Sequence, residues 1–126
     1  MSGFKSFEEL QCWKEAQILR NFIKDKIITK LPKDEQYSLK SQIRRSSRSI
    51  GNNIAEGFGR FHYQENIQFC RISRGSLAET LDHGIVALDE AYITKELFNE
   101  LRAIHDRTLK ILNGYIAYLK RSKFEG

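Results

Sequence analysis

The stretch Tyr37-Ser-Leu-Lys-Ser-Gln-Ile-Arg-Arg-Ser-Ser-Arg-Ser-Ile-Gly-Asn-Asn-Ile-Ala-Glu-Gly-Phe-Gly-Arg60 constrains this chain more than any other. Read at helical period, Leu39, Ile43, Ser46/Ser47, Ile50 and Ile54 fall on one face. That is the i, i+4, i+7 pattern of a helix buried along one side. The side chains on this stripe are small, so a neighbouring helix can come close. Another face holds Arg44 and Arg48 one turn apart, with Arg45 beside them. Gly57-Phe-Gly59 follows, and glycine just past a periodic run is the usual helix stop. One helix must therefore serve a core with one face and carry concentrated positive charge on another. Gly51 inside it costs about 1 kcal/mol relative to alanine and marks a bend or a close helix contact.

The rest of the chain reads as three more helices. The first is expected from about Phe7 to about Thr29, opened by a capping box of Ser6 and Glu9. Its stripe is Leu10, Trp13, Ala16/Gln17, Leu19/Arg20, Ile23 and Ile27, with Trp13 as a core anchor. Pro32 disfavours helix at Leu31, and Asp34 is the expected N-cap of the central helix, which should run from about Glu35 to about Glu56. Helix three is expected from Tyr63 to Ala91, with Cys70, Leu77, Leu81, Gly84, Leu88 and Ala91 as its stripe. Ile67, Ile72, Ile85 and Val86 widen that stripe, and Gly75-Ser76 suggests a tight crossing. Thr94 is the expected N-cap of helix four, whose seam is Leu97, Leu101, Ile104, Thr108, Ile111, Tyr115 and Tyr118. A second row, Leu109, Leu112, Ile116 and Leu119, makes this face wide enough for another subunit as well. Short connections between four helices imply one all-α domain over residues 1–126, an antiparallel up-down-up-down four-helix bundle.

Charge narrows the function. From Lys40 to Arg74 seven basic residues face two acids, a surplus equal to the whole chain's net +5. Six of the seven are arginine, whose planar fork suits phosphate and carboxylate. No apolar run reaches the ~20 residues of a membrane span, and no apolar core follows Met1 as in a signal peptide. A cytoplasmic protein without a membrane partner is expected. Cys12 and Cys70 share no motif, so no metal is expected of them. A di-iron bundle needs Glu-x-x-His on two helices; Glu79 and His83 lie four apart and have no second pair. No P-loop, GxGxxG, GxSxG or Cys-x-x-Cys is present, so neither an enzyme nor a cofactor is expected.

Tyr37-Ser-Leu, Gln42-Ile-Arg-Arg45, Ser49-Ile50, Asn53-Ile-Ala-Glu-Gly57 and Gly59-Arg60 together resemble the signature of the bacterial four-helix-bundle proteins, also called 23S rRNA intervening-sequence proteins. Leu10 and Trp13 fit that family's first helix, and Arg74-Gly-Ser-Leu-Ala-Glu79 fits its third. Gly51 stands where the family is associated with proline, and Ser46/Ser47 where alanine is common, small-for-small changes that leave the fold intact. The resemblance implies a ring-like homopentamer. It also implies kinship with the accessory protein of diversity-generating retroelements, which binds nucleic acid and a reverse transcriptase through a basic surface.

Two readings follow. In the first, Arg44, Arg45, Arg48, Arg60, Arg71 and Arg74 contact the phosphates of a nucleic acid, structured RNA ahead of DNA, with little sequence readout. In the second, the chain is a protein-interaction scaffold whose arginines serve subunit or partner interfaces, Arg45 pairing with Glu56 or another acid across a boundary. The Phe58-Gly-Arg-Phe-His-Tyr63 turn divides the same way: its aromatics close the bundle end or stack bases. Exposure separates the readings, because arginines on one open face suit RNA.

Overall fold

A computed structural model describes residues 3–125, and every regular element among them is helical. Four α-helices form the body: α1 (Gln11–Phe22), α2 (Leu39–Gly59), α3 (Tyr63–Asp89) and α4 (Lys95–Glu125). α2 packs on α3, α3 on α4, α4 on α1 and α1 on α2, which encloses one core. Leu19, Ile43, Ile50, Ile54, Leu77, Leu101, Leu112 and Leu119 fill it.

The first helix is less regular than its stripe predicts. Phe7–Glu9 is a separate 3-10 turn, and extended backbone at Leu10 (φ −72, ψ 127) interrupts the run. Ser6 Oγ accepts from the Glu8 N–H, while Glu9 accepts from the Lys5 N–H, so the box closes one residue early on the short turn. After Phe22 the chain makes a π turn over Ile23–Ile27, where the Ile28 N–H reaches back to the Ile23 carbonyl. The extra residue in that turn rotates the stripe, so Ile23, Ile27 and Ile28 are all buried.

α2 starts later and ends later than expected. Asp34 does not cap it; a 3-10 turn at Lys33–Glu35 comes first. Glu35 does the tying instead. It accepts from Ser38 Oγ, from Tyr92 Oη at 2.8 Å and from the Leu39 N–H at 3.4 Å. At the other end Gly57 lies inside the helix and is buried against α3. The left-handed position is held by Phe61 (φ 54), whose N–H bonds to the Phe58 carbonyl. Ala91 (φ 62) likewise closes α3: its N–H meets the Leu88 carbonyl and the Tyr92 N–H meets the Ala87 carbonyl, the Schellman pattern. Thr94 caps α4 as expected, Oγ1 accepting from the Leu97 N–H at 3.1 Å.

The α2–α3 seam is made of small polar side chains. Thr80 Oγ1 donates to Ser46 Oγ at 2.9 Å, Ser49 and Ser76 hydroxyls meet at 2.9 Å, and Ser73 Oγ donates to the Ile50 carbonyl at 2.8 Å. Numbers rise along α2 as they fall along α3. No buried side-chain nitrogen or oxygen among the described residues lacks a partner, so this polar seam carries no desolvation penalty of the orphan kind. Gly51 is buried toward α1, but a methyl there would sit 3.4 Å from the Trp13 indole nitrogen, an ordinary contact distance, so no close approach requires the glycine. Trp13 itself is half-buried and edge-on to Phe7 at 5.1 Å, a flank residue more than an anchor.

Two expectations on α3 and α4 are corrected. Gly75 has open space where a side chain would go, so no tight crossing explains it; Gly57 and Gly84 are the close approaches. Ile72, Ile85 and Val86 face solvent, and Ser73 and Thr80 lie buried on the stripe. On α4 the buried line is Phe98, Leu101, His105, Thr108, Leu112, Ile116 and Leu119. Leu97, Ile104, Ile111, Tyr115 and Tyr118 flank it half-buried, because Phe98 and His105 shift the centre of the stripe. α1 meets α4 through buried Glu15, which accepts from Arg107 Nε at 2.9 Å.

Gly57→Ala would place its methyl 2.8 Å from Phe69 Cβ and Asn66 Oδ1, so it should destabilise by about 1–3 kcal/mol. Gly75→Ala should instead stabilise by roughly 1 kcal/mol; chemical denaturation of both variants checks the opposite signs. Hydrogen bonds from Ser38 and Tyr92 hold the Glu35 carboxyl below its usual range. Its stabilising effect is therefore present above the unfolded-state carboxylate pKa and lost as pH falls through the depressed folded value. Thermal melts should show Glu35→Gln less stable than wild type at pH 7, with the gap closing in acid.

Candidate nucleic-acid interface

α2 turns Ile43, Ser46, Ser47, Ile50 and Ile54 to the core, which places Arg44 at the α1–α2 junction and Arg45 and Arg48 in solvent. Two hollows meet along this face. A groove of about 390 Å³ between α1 and α2 is lined by Arg20, Asn21, Lys24, Arg44, Arg48 and Asn52. A shallower hollow of about 510 Å³ runs along α2 past Ser41, Arg45, Ser49, Asn53 and Glu56, sharing Arg44, Arg48 and Asn52 with the first. Four cations thus line the groove with no carboxylate among its walls, one of them, Lys24, also meeting the adjacent Asp25 at 3.8 Å.

Arg44, Arg45 and Arg48 have no salt-bridge partner among the described residues. Like charges one turn apart repel and are stabilised by an external polyanion. Ser41 and Asn52 supply neutral hydrogen-bonding groups of the kind that fix a phosphate backbone without reading sequence, while Ser49 and the Asn53 amide bond within the fold.

The six expected arginines do not form one surface. Arg60 is taken up at the end of α2: it pairs with Glu56 at 3.6 Å and Glu65 at 3.9 Å and lies over the Phe69 ring at 5.1 Å. That pairing also occupies Glu56, the acid expected to meet Arg45 across a subunit boundary. Arg74 donates to Asn113 Oδ1 at 2.8 Å and so ties α3 to α4. Arg71 is exposed on α3 and lines neither hollow.

Arg20 and Lys24 join the site without having been expected there. Their spacing of four on helix one was the available signal; the π turn that sets Lys24 beside Arg44 has no signature in the sequence.

Other chemistry is sparse. Among the described residues no three His, Cys, Asp or Glu side chains could hold a metal. Glu79 and His83 meet only each other, at 3.1 Å. Burial pushes the Cys12 and Cys70 thiols up to about 12, so both are neutral at pH 7. No helix among the described residues is long and apolar enough to cross a membrane.

No curated protein matches the chain. A solved structure is similar in fold: a protein of unknown function from the S23 ribosomal protein family of Bacteroides thetaiotaomicron. It is 21% identical with a TM-score of 0.76, and the likeness covers 84% of this chain and 95% of that one. At that identity the likeness speaks for the fold. The family model for the 23S rRNA-intervening sequence protein matches residues 8–114, from before α1 into α4. With most of its length matched, the chain belongs to the 23S rRNA-intervening sequence protein family.

Proposed function

We propose that this protein is a non-enzymatic, cytoplasmic RNA-binding bundle that grips phosphates along the outward face of α2. The observation that carries the reading is the set of exposed Arg45 and Arg48 with half-buried Arg44, without ion-pair partners among the described residues, extended by Arg20 and Lys24 across the groove. A cluster of this kind attracts a polyanion from a distance and binds it with release of counterions. The family's name, which refers to sequences intervening in 23S rRNA, supports RNA as the polyanion. Arg60 and Arg74, held by partners of their own, act in the fold, and Arg71 lies outside the primary site.

In this reading the helices run antiparallel, up-down-up-down, and several copies assemble, a homopentamer by family resemblance. Exposed Ile72, Ile85 and Val86 on α3 offer apolar surface for such assembly. Repetition of a weak basic face around a ring multiplies its affinity through effective concentration. Kinship with the accessory protein of diversity-generating retroelements belongs to the same proposal.

Fluorescence anisotropy of a structured RNA across a salt series tests the site. Wild type should bind with a steep salt dependence. Arg44→Glu/Arg45→Glu/Arg48→Glu, checked by light scattering for unchanged oligomer mass, should lose most binding and flatten the log–log salt slope by about 2–3. Unchanged binding by that variant would rule out the α2 face.

A further inference from the structure

We infer that Tyr37 and Phe61, the exposed aromatics at the two ends of α2, stack unpaired nucleobases, so that the site prefers single-stranded stretches of RNA over duplex. The inference rests on the RNA reading above and adds the form of RNA.

Tyr37 is 94% exposed and Phe61 75%, the two largest exposures among the big apolar side chains that face solvent. Neither belongs to the core, and Phe61 meets it through the Phe58 ring. The connection that carries Tyr37 is held without its ring, through the hydrogen bonds of Glu35 with Ser38, Leu39 and Tyr92.

Phe61 is placed against its own backbone preference. It occupies the left-handed region at φ 54, where glycine would sit without strain. Its one ring contact is Phe58, at 6.0 Å and tilted, which leaves most of the ring in water. Phe58 is buried, and Tyr63 packs against the same core. Local folding therefore explains neither ring. An aromatic kept in solvent at an energetic cost fits a role in contact with something else.

The position favours a nucleobase. The 21 residues of α2 span about 30 Å; Arg44, Arg45 and Arg48 lie in its first half, nearer Tyr37, and Phe61 follows Arg60 at the far end. Ser41 and Arg44 follow Tyr37 within two turns, and Asn52 and Asn53 lead toward Phe61. Cations together with solvent-facing rings are the means by which proteins hold single strands, phosphates on cations and bases on π-faces. In a duplex the bases are already stacked on one another, which leaves such rings idle. Loops and bulges of a structured RNA present them free.

The test uses the full chain and two RNAs of equal length, one unstructured and carrying 2-aminopurine, the other duplex. Wild type should prefer the single strand and quench the 2-aminopurine. Tyr37→Ala and Phe61→Ala should each weaken single-strand binding by roughly 5- to 150-fold with the salt slope unchanged, and quenching should fall. Phe61→Trp should restore both. Phe61→Gly relieves the left-handed strain and should lose binding like Phe61→Ala, which separates stacking from folding. If the alanine variants bind as wild type does while the triple arginine variant fails, stacking is overturned and the phosphate face stands. If wild type binds neither RNA at low salt, the RNA reading falls and this inference with it. If the alanine variants change the oligomer mass and leave RNA affinity intact, the rings serve a protein contact and the inference is overturned.

Discussion

The close approach of α2 to α3 is the contact on which the rest depends. It is possible because Ser46, Ser49, Ser73, Ser76 and Thr80 are small and bond to one another or to backbone across the seam, and because Gly57 has no side chain to meet Asn66 and Phe69. Large aliphatics at these positions would hold the helices apart. With α3 on one side and α1 near Gly51 on the other, α2 has a single orientation in which Ile43, Ile50 and Ile54 are covered. That orientation leaves Arg44, Arg45 and Arg48 on the open side. The charged face is thus a geometric consequence of the packed one.

The same helix separates two kinds of arginine. Arg60 is neutralised by two glutamates and an aromatic face at the end of α2, and such exposed pairs contribute little stability individually. Arg44, Arg45 and Arg48 are not neutralised, and like charges this close oppose folding slightly. A face that the fold tolerates at a cost, and that a bound polyanion relieves, is best understood through that polyanion. α1 completes it: the π turn burying Ile27 and Ile28 together also carries Lys24 to the groove.

The fold class, the four helices and the two-faced character of α2 were legible in the residues, because 3.6-residue periodicity reports burial directly. Thr94 as an N-cap was legible for the same local reason. Other features were set by contacts between helices. On α4, Leu101 and Thr108 of the expected seam are buried, but farther along the second row, Leu112, Ile116 and Leu119, takes over, and Phe98 and His105 belonged to neither row. Gly75 and Gly57 look alike in sequence, and only the neighbouring helix tells which one is crowded. Glu35 replaced Asp34 because its carboxylate reaches Ser38 and Tyr92 at once, a partner 57 residues away. Of the candidate site, the α2 arginines were visible as a cluster. That Arg60 and Arg74 meet Glu56, Glu65 and Asn113, and that Arg20 and Lys24 line the groove with Arg44 and Arg48, required the assembled bundle.

The most direct test follows the arginine side-chain Nε–Hε signals by NMR while a structured RNA is titrated in. The account predicts that the signals of Arg44, Arg45, Arg48 and Arg20 shift together and saturate at one RNA concentration, while Arg60, Arg74 and Arg107 stay in place. Shifts confined to Arg60, Arg71 or Arg74, or none at any RNA concentration at low salt, would contradict it.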